Sequence, residues 1–486
     1  MKKITLIAIL VTAGGFLTPY FLGIKIERTL VELMTEANAK TNGLAVFELE
    51  RYQRGWFSST AILRSRFSEE YVENLVTMQQ QTDATPAWTD IFHSGVTQAM
   101  HVSHGPFTNG GFGLGQVSAT LDATSHPDLA SLLARTKNLY LAVWSAKTGL
   151  SGLGQIIFEA PKFELPNIDG TDVTVNFAGI NATGSFDLPQ RSASFDGQSG
   201  GLSIQGMNDE FVIENISFTS NTNFPQDTAL ALGNFELAAD RIVLLAADQT
   251  NIDAKQLRLS ARVENSARDN NLVNMEVAYE IAETNLSGAQ LKNLQVNVSF
   301  ENLASQALEE LQRVRAGMST DPQGIDAIKA AIMTPTYDLL AAGIVMKIEP
   351  ISFIYNDKPF SIHLEIATVT DQLPPKDQFS FDDPDFFASI FVVSADLSID
   401  KDLATTWAIP RLKLQLLAGA PQDTKIDNGE LTKIATTQAP LVLATLVGQG
   451  LLIEDGSNYT LKSHYDQGQL TVNGADVPVG AFLPQQ

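Results

Sequence analysis

Six segments of this chain alternate apolar and polar residues, and that alternation limits the fold more than any other feature. Leu257, Leu259, Ala261 and Val263 alternate with Arg258, Ser260 and Arg262. Met275, Val277, Tyr279 and Ile281 alternate with Glu276, Ala278 and Glu280. Leu294, Val296, Val298 and Phe300 do the same, as do Ile362, Leu364 and Ile366, then Val393, Ala395, Leu397 and Ile399, and earlier Val173, Val175 and Phe177. Neighbouring side chains of a strand point to opposite faces, so each segment has one apolar and one polar face. One wet face is the pattern of antiparallel strands. The segments near 260, 278 and 297 recur at a spacing of about 18 residues, which predicts a meander. Polar stretches such as Glu264–Asn271 and Asp196–Gly201 are expected to be turns.

Helices are expected to punctuate this sheet. Glu27–Lys40 stops at Asn42-Gly43, a C-terminal helix signal. Leu303–Ala316 carries apolar residues at three-to-four spacing, Pro322–Met333 and Pro335–Ala342 read as two short helices, and Ala439–Gly448 as a buried one. The fold class expected is mainly β with interspersed helices, α+β, behind an N-terminal transmembrane helix. Residues 1–3 form a cytoplasmic start, 4–24 a signal-anchor, 25–300 a β-rich lobe, and 301–486 a second α+β lobe ending in a β-hairpin.

The N-terminus sets the expected topology. Lys2 and Lys3 precede Ile4–Ile24, a run of 21 residues without a charge. As a helix it is about 31 Å long, one hydrocarbon thickness. The basic start stays in the cytoplasm by the positive-inside rule, which puts the bulk of the chain outside it, in the periplasm of a cell that has one. The competing reading is a signal peptide cleaved near Val11-Thr12-Ala13. Against it, apolar residues continue through Phe16, Leu17, Tyr20, Phe21 and Leu22.

Composition removes several function classes. Lys and Arg number 32 against 55 Asp and Glu, a net charge of −23. A nucleic-acid partner needs a basic footprint, so none is expected. So acidic a surface also argues against docking along an anionic bilayer face. The chain has no Cys, which excludes disulfides, iron–sulfur clusters, thiol catalysis and Cys-ligated zinc.

Few motifs carry chemistry. His93, His101 and His104 are clustered, but their spacing matches no zinc site. Gly110–Gly115 precedes a strand-like run, Gln116–Leu121, whereas a phosphate loop opens a helix; it reads as a turn. Asp382, Asp383 and Asp385 lack the twelve-residue calcium-loop pattern and read as a solvated loop. No cofactor, metal or catalytic residue is nominated. Tyr52-Gln53-Arg54-Gly55-Trp56-Phe57-Ser58-Ser59 reads as a hairpin whose Gly55 takes φ > 0, with Phe57, Ala61 and Leu63 on one face.

Three motifs in order resemble the YdgA-like family of bacterial envelope proteins. The first is the basic start and apolar span followed by Tyr52, Gly55, Phe57, Ser58 and Ser59. The second is His104-Gly105-Pro106-Phe107. The third runs from Gly450-Leu451-Leu452 through Tyr459, Leu461, Tyr465, Gly468, Leu470 and Val472 to Asn473-Gly474, similar to a closing hairpin with an Asn-Gly turn. The resemblance implies a single-pass inner-membrane protein facing the periplasm, and no activity. The first functional expectation is a non-enzymatic envelope scaffold, with envelope proteins or a second copy as partner. The alternative is a lipid- or amphiphile-binding protein using an apolar sheet face. A third is an envelope-polymer hydrolase, for which Asp382–Asp385 or His101 and His104 are the first places to look.

Overall fold

The computed structural model describes residues 27–478 except 33, 36–37, 39–44, 70, 73–93, 105–106, 109–110, 113–114, 150, 168–171, 207–208, 226–229, 247–250, 287, 319–324, 381–385, 387–388 and 419–426. The expected anchor at 4–24 lies outside the described residues. Among the described residues no helix is long and apolar enough to cross a membrane.

The chain is mainly antiparallel sheet with few helices and divides into two units. Unit 1 holds residues up to Ala239, with Leu245–Ala247 and Glu309–Lys329; unit 2 holds Asp240–Leu244, Asp248–Leu308 and Ala330–Gln486. The meander near 260–297 therefore belongs with the C-terminal elements.

Unit 1 is built from β1 (Ala45–Arg54), β2 (Ser58–Phe67), β3 (Val96–His104), β4 (Phe107–Thr108), β5 (Gly111–Phe112), β6 (Gly115–Asp122), β7 (Tyr140–Thr148), β8 (Leu153–Ala160), β9 (Phe163–Leu165), β10 (Thr174–Phe177), β11 (Ile180–Asp187), β12 (Ser192–Gln205) and β13 (Glu210–Asn223). The sheet runs β1-β2-β3-β6-β7-β8-β11-β12-β13, with β10 also pairing the C-terminal part of β12 and β9 pairing β10. Helix α1 (Pro127–Thr136) buries Leu129 and Leu133, and Pro127 occupies its first turn, where no N–H is needed. Helical residues 27–32 set Leu30 against the core of Ala61, Met100 and Ala119.

The segment Asp196–Gly201, expected to be a turn, is instead the middle of β12. Glycine serves there as a space for neighbours. Phe218 pairs with Gly197 across the strands, and a methyl at Gly197 would stand inside its ring. Phe195 lies over Gly184, and Phe186 over Gly154, in the same way. Aromatic rings covering cross-strand glycines make up the apolar area that glycine lacks. Phe195 and Phe218 then stack with centroids 5.8 Å apart.

Strand β14 (Leu232–Leu245) and helices α2 (Ser305–Met318) and α3 (Ile325–Ala341) contribute residues to both units. Unit 2 continues with β15 (Asn251–Asn265), β16 (Leu272–Leu286), β17 (Ala289–Ala304), β18 (Val345–Tyr355), β19 (Lys358–Thr368), β20 (Phe391–Asp400), α4 (Lys401–Ala418), α5 (Asn428–Gly448), β21 (Ile453–Asp455), β22 (Asn458–Asp466), β23 (Gln469–Val472) and β24 (Ala475–Val477). Consecutive strands pair from β15 to β20, then β20 with β22, β22 with β23 and β23 with β24. All five alternating segments of this unit lie within strands, and the expected meander is β15-β16-β17.

The helix boundaries differ from expectation. Leu303 and Ala304 close β17, and α2 begins at Ser305. The two short helices expected around Pro335 are one, α3, with Pro335 inside it. An interior proline costs about 3 kcal/mol. Here it is offset by packing of Met333, Tyr337 and Leu340 on Phe379 and Ile390. Likewise α5 begins at Asn428, capped by the Asp427 carboxylate on Glu430 N, and carries Pro440 within it.

Candidate functional site

The motif residues of the N-terminal hairpin converge in space. Arg54 pairs with Ser59, and the loop between them is closed by Gly55 N donating to Ser58 O at 2.8 Å. Gly55 is not in the left-handed region expected for it. Its reason is crowding: a Cβ would stand 2.5 Å from the Ser58 carbonyl oxygen. Ala61 and Leu63 share the core face as expected, whereas Phe57 sits at the tip, 47% exposed beside Trp56 at 45%.

Strand β3 lies along β2 in register Ser58–Ser103 and Ser59–Val102. That register brings His104 to the loop, where its backbone N donates to Phe57 O at 2.8 Å. His104 Nε2 then lies 3.0 Å from Ser59 Oγ, and both residues are buried, at 0% and 2% exposure. The Tyr52 phenol hydrogen-bonds the same serine. Burial pushes the Tyr52 phenol above its ordinary value; the Ser59 bond and the Arg54 charge pull it back, and the Glu27 carboxylate adds to the rise. The result is a polar row, Tyr52–Ser59–His104, across three strands beside the apolar cluster of Ala61, Met100 and Ala119. A Ser–His pair at this distance has the geometry of a nucleophile and its base. Both members of the pair are sealed from solvent. In this conformation it ties β1, β2 and β3 together.

Gly105 and Pro106 lie outside the described residues, as do His93 and Asp382, Asp383 and Asp385. His101 is exposed while His104 is buried, because residues three apart on a strand point to opposite faces. Among the described residues no group of three His, Asp or Glu could hold a metal ion.

The C-terminal motif forms a second constellation. Asn473 and Gly474 have φ of 50° and 81° and connect β23 to β24 in a two-residue turn. Positive φ at both central residues is the requirement that Asn-Gly meets. The Asn473 side chain also accepts from Lys462 N at 2.9 Å and donates to Gly450 O at 2.9 Å. Gly450, at φ 72°, follows the end of α5, and Tyr459 packs into the core with Ile399, Leu403, Leu443 and Leu452 while Leu461, half-buried, lies against its edge.

The family model described as a bacterial protein of unknown function, DUF945, matches residues 1–480. The chain belongs to that family. No curated protein and no solved structure matches it.

In this DUF945 chain one further surface stands out. Strand register places Leu259, Tyr279, Val296, Ile351, Ile362, Leu397 and Leu461 in one row across unit 2. Not one of them is buried; Tyr279 is 50% exposed and the others are half-buried. A parallel row through Ala261, Val277, Val298, Ile348, Leu364 and Ala395 is half-buried too. The opposite face carries Arg258, Arg262, Glu276, Glu280, Lys347 and Glu365, with Lys347 donating to Glu301 at 2.8 Å. At one end of the apolar face, Phe353 and Phe360 stack at 4.7 Å, and Trp407 of α4 packs on both at 5.8 and 5.4 Å while remaining 44% exposed. Alternation identified this face, but not that it would stay partly open.

Proposed function

We propose that this chain is a non-enzymatic, single-pass envelope protein, held in the bacterial inner membrane by residues 4–24 with its bulk in the periplasm, that binds the acyl chain of a lipid-like amphiphile against the apolar sheet face of unit 2. The single observation that carries the ligand class is the row from Leu259 to Leu461, apolar across seven strands and buried at no position. Apolar area left accessible in a folded chain marks a binding surface, since about 25 cal/mol per Å² is gained by covering it. A rigid sheet with Trp407, Phe353 and Phe360 at one end suits a flexible chain that has no polar groups to satisfy. The anchor reading is supported by the uncharged run Ile4–Ile24 and by the resemblance to the YdgA-like family.

The test compares the full-length chain with a Val296→Asp, Ile362→Asp variant, both exchanged from detergent into amphipol, by native mass spectrometry and lipid extraction. An amphiphile retained at defined stoichiometry by the wild type and lost by the variant is the expected result. Equal retention by both overturns this site.

A second reading, a scaffold that binds a protein or a second copy, is favoured by the helices rather than the sheet. Leu414 on α4 and Leu441 on α5 are 68% and 64% exposed. A lipid-free, discrete dimer in the same experiment supports that reading.

A further inference from the structure

We infer that the tip of the β1–β2 hairpin, Trp56 and Phe57, inserts into the headgroup layer of the same bilayer that holds residues 4–24, making a second, interfacial contact with phospholipid; this rests on the anchor reading above. The geometry begins at Arg54, the last residue of β1, whose guanidinium pairs with the Glu27 carboxylate. Glu27 stands three residues after Ile24, where the uncharged run ends. Three residues span about 4.5 Å as helix and at most about 11 Å extended. The headgroup layer of one leaflet is about 5–7 Å deep. The Arg54–Glu27 pair is therefore tethered in the headgroup layer or within about 6 Å of it, and the loop that follows Arg54 is held there with it.

Two further contacts fix the hairpin to this exit segment. Leu30 packs with Tyr52 and Leu49 against Ala61 and Met100. Asn38 brackets the β1 backbone, donating to Phe47 O at 2.9 Å and accepting from Phe47 N at 2.7 Å. The hairpin thus cannot swing away without breaking core packing.

The side chains at the tip have the chemistry of the interface. Trp and Tyr gather at headgroup depth because they join an apolar body to a polar atom. Trp56 and Phe57 are adjacent and both nearly half exposed. Close packing at Gly55 makes the loop tight, so the pair stands at its apex. The charge here also differs from the rest of the chain. Residues 25–66 hold seven Lys or Arg and five Glu, in a protein whose net charge is −23. The expectation that an acidic protein avoids an anionic bilayer face thus fails locally, where Lys25 and Arg28 follow the uncharged run and Arg51 and Arg54 lead into the tip, Arg54 on the Glu27 carboxylate.

Because the chain has no Cys, Phe57→Cys introduces a single thiol for a polarity-sensitive fluorophore. Leu139→Cys is the control: it is 87% exposed and precedes β7 at the opposite end of the strands, about 27 Å away along β6. Full-length chains are reconstituted into vesicles of phosphatidylethanolamine and phosphatidylglycerol, with and without brominated acyl chains. The expected result is a blue-shifted, bromolipid-quenched signal at position 57 and none at 139. Chains that float with the vesicles but show an unquenched label at 57 overturn the inference and leave the anchor intact. Chains that fail to float overturn the anchor, and this inference with it. Should the labelled variant not fold, the bromolipid-quenched part of the native tryptophan emission, lost in Trp56→Phe, gives the same reading.

Discussion

In unit 1, Ala61, Met100 and Ala119 lie in a row across β2, β3 and β6, each at most 2% exposed. In unit 2, Leu259, Val296 and Ile362 lie in an equivalent row, and all three stay half-buried. Both rows come from the same two-residue alternation. The difference lies in what covers them. The unit 1 row alternates small and large side chains, which lets helical residues 27–32 approach and set Leu30 over it. The unit 2 row is large at every position, and among the described residues its helical cover is at the two ends of the strands, where α4 and α5 pack on Ile399 and Tyr459 and α3 packs with Ile344 and Phe391. Alternation decides which face is apolar; residue size and the next element decide whether that face becomes core.

The sharpest way to break this comparison is a pair of truncations. Met100→Ala is expected to cost about 3 kcal/mol, within the range for emptying a sealed site. Val296→Ala is expected to cost about 1 kcal/mol, because the removed atoms were already partly in water. Equal losses in urea unfolding of the full-length chain would show that the unit 2 face is covered after all.

A glycine exchange probes the same contrast with a smaller effect. Gly197→Ala forces the Phe218 ring aside and is expected to cost about 2 kcal/mol. Gly448→Ala, at the end of α5 with nothing within 4 Å of the added methyl, is expected to stabilise by about 0.5 kcal/mol. Opposite signs in thermal unfolding are the result to look for.

Ser59→Ala removes the partner shared by Tyr52 and His104. The loss expected is about 1–2 kcal/mol, the desolvation left on buried groups. It should also return the Tyr52 phenol further above its ordinary value, since the Ser59 bond pulls it down. A spectrophotometric phenol titration that does not move would remove Ser59 from the row.

The smallest effect expected is electrostatic and sits in unit 2. Arg241 Nε and Nη2 donate to both Asp253 oxygens, at 2.8 and 2.9 Å, and hold that carboxyl below its ordinary range. A carboxyl with a lowered folded value contributes stability above its unfolded value of about 3.9. That contribution is lost as the pH falls through the folded value. Both groups are partly solvated, so the contribution should stay below about 1 kcal/mol. In Arg241→Met, carboxyl-detected NMR should show Asp253 titrating at higher pH than in the wild type, with the acid side of the stability profile shallower.

The strands were legible in the sequence because exposure on one side forces a polar residue at every second position. The Asn473-Gly474 turn was legible because few other pairs tolerate positive φ twice. Asp196–Gly201 was misread because its glycines look like a turn until Phe218 and Ala178 are seen resting against Gly197 and Gly200. Helix α4 gave little warning, since Pro410 interrupts it and its apolar residues, among them Leu414 and Leu417, are not confined to a buried stripe. The Tyr52–Ser59–His104 row was visible only as motif positions. Their convergence depends on the register of β2 and β3, which a chain separation of 45 residues does not reveal.

The stair of rings over glycines in unit 1 has a genealogical consequence. Positions 154 and 186, 184 and 195, and 197 and 218 each share one space between two residues. A lineage that gains a side chain at one member must shed the ring at the other, so the two should change together or not at all. Across diverging members of the family, these three couplets should read as linked substitutions, a record of contact written in descent rather than in coordinates.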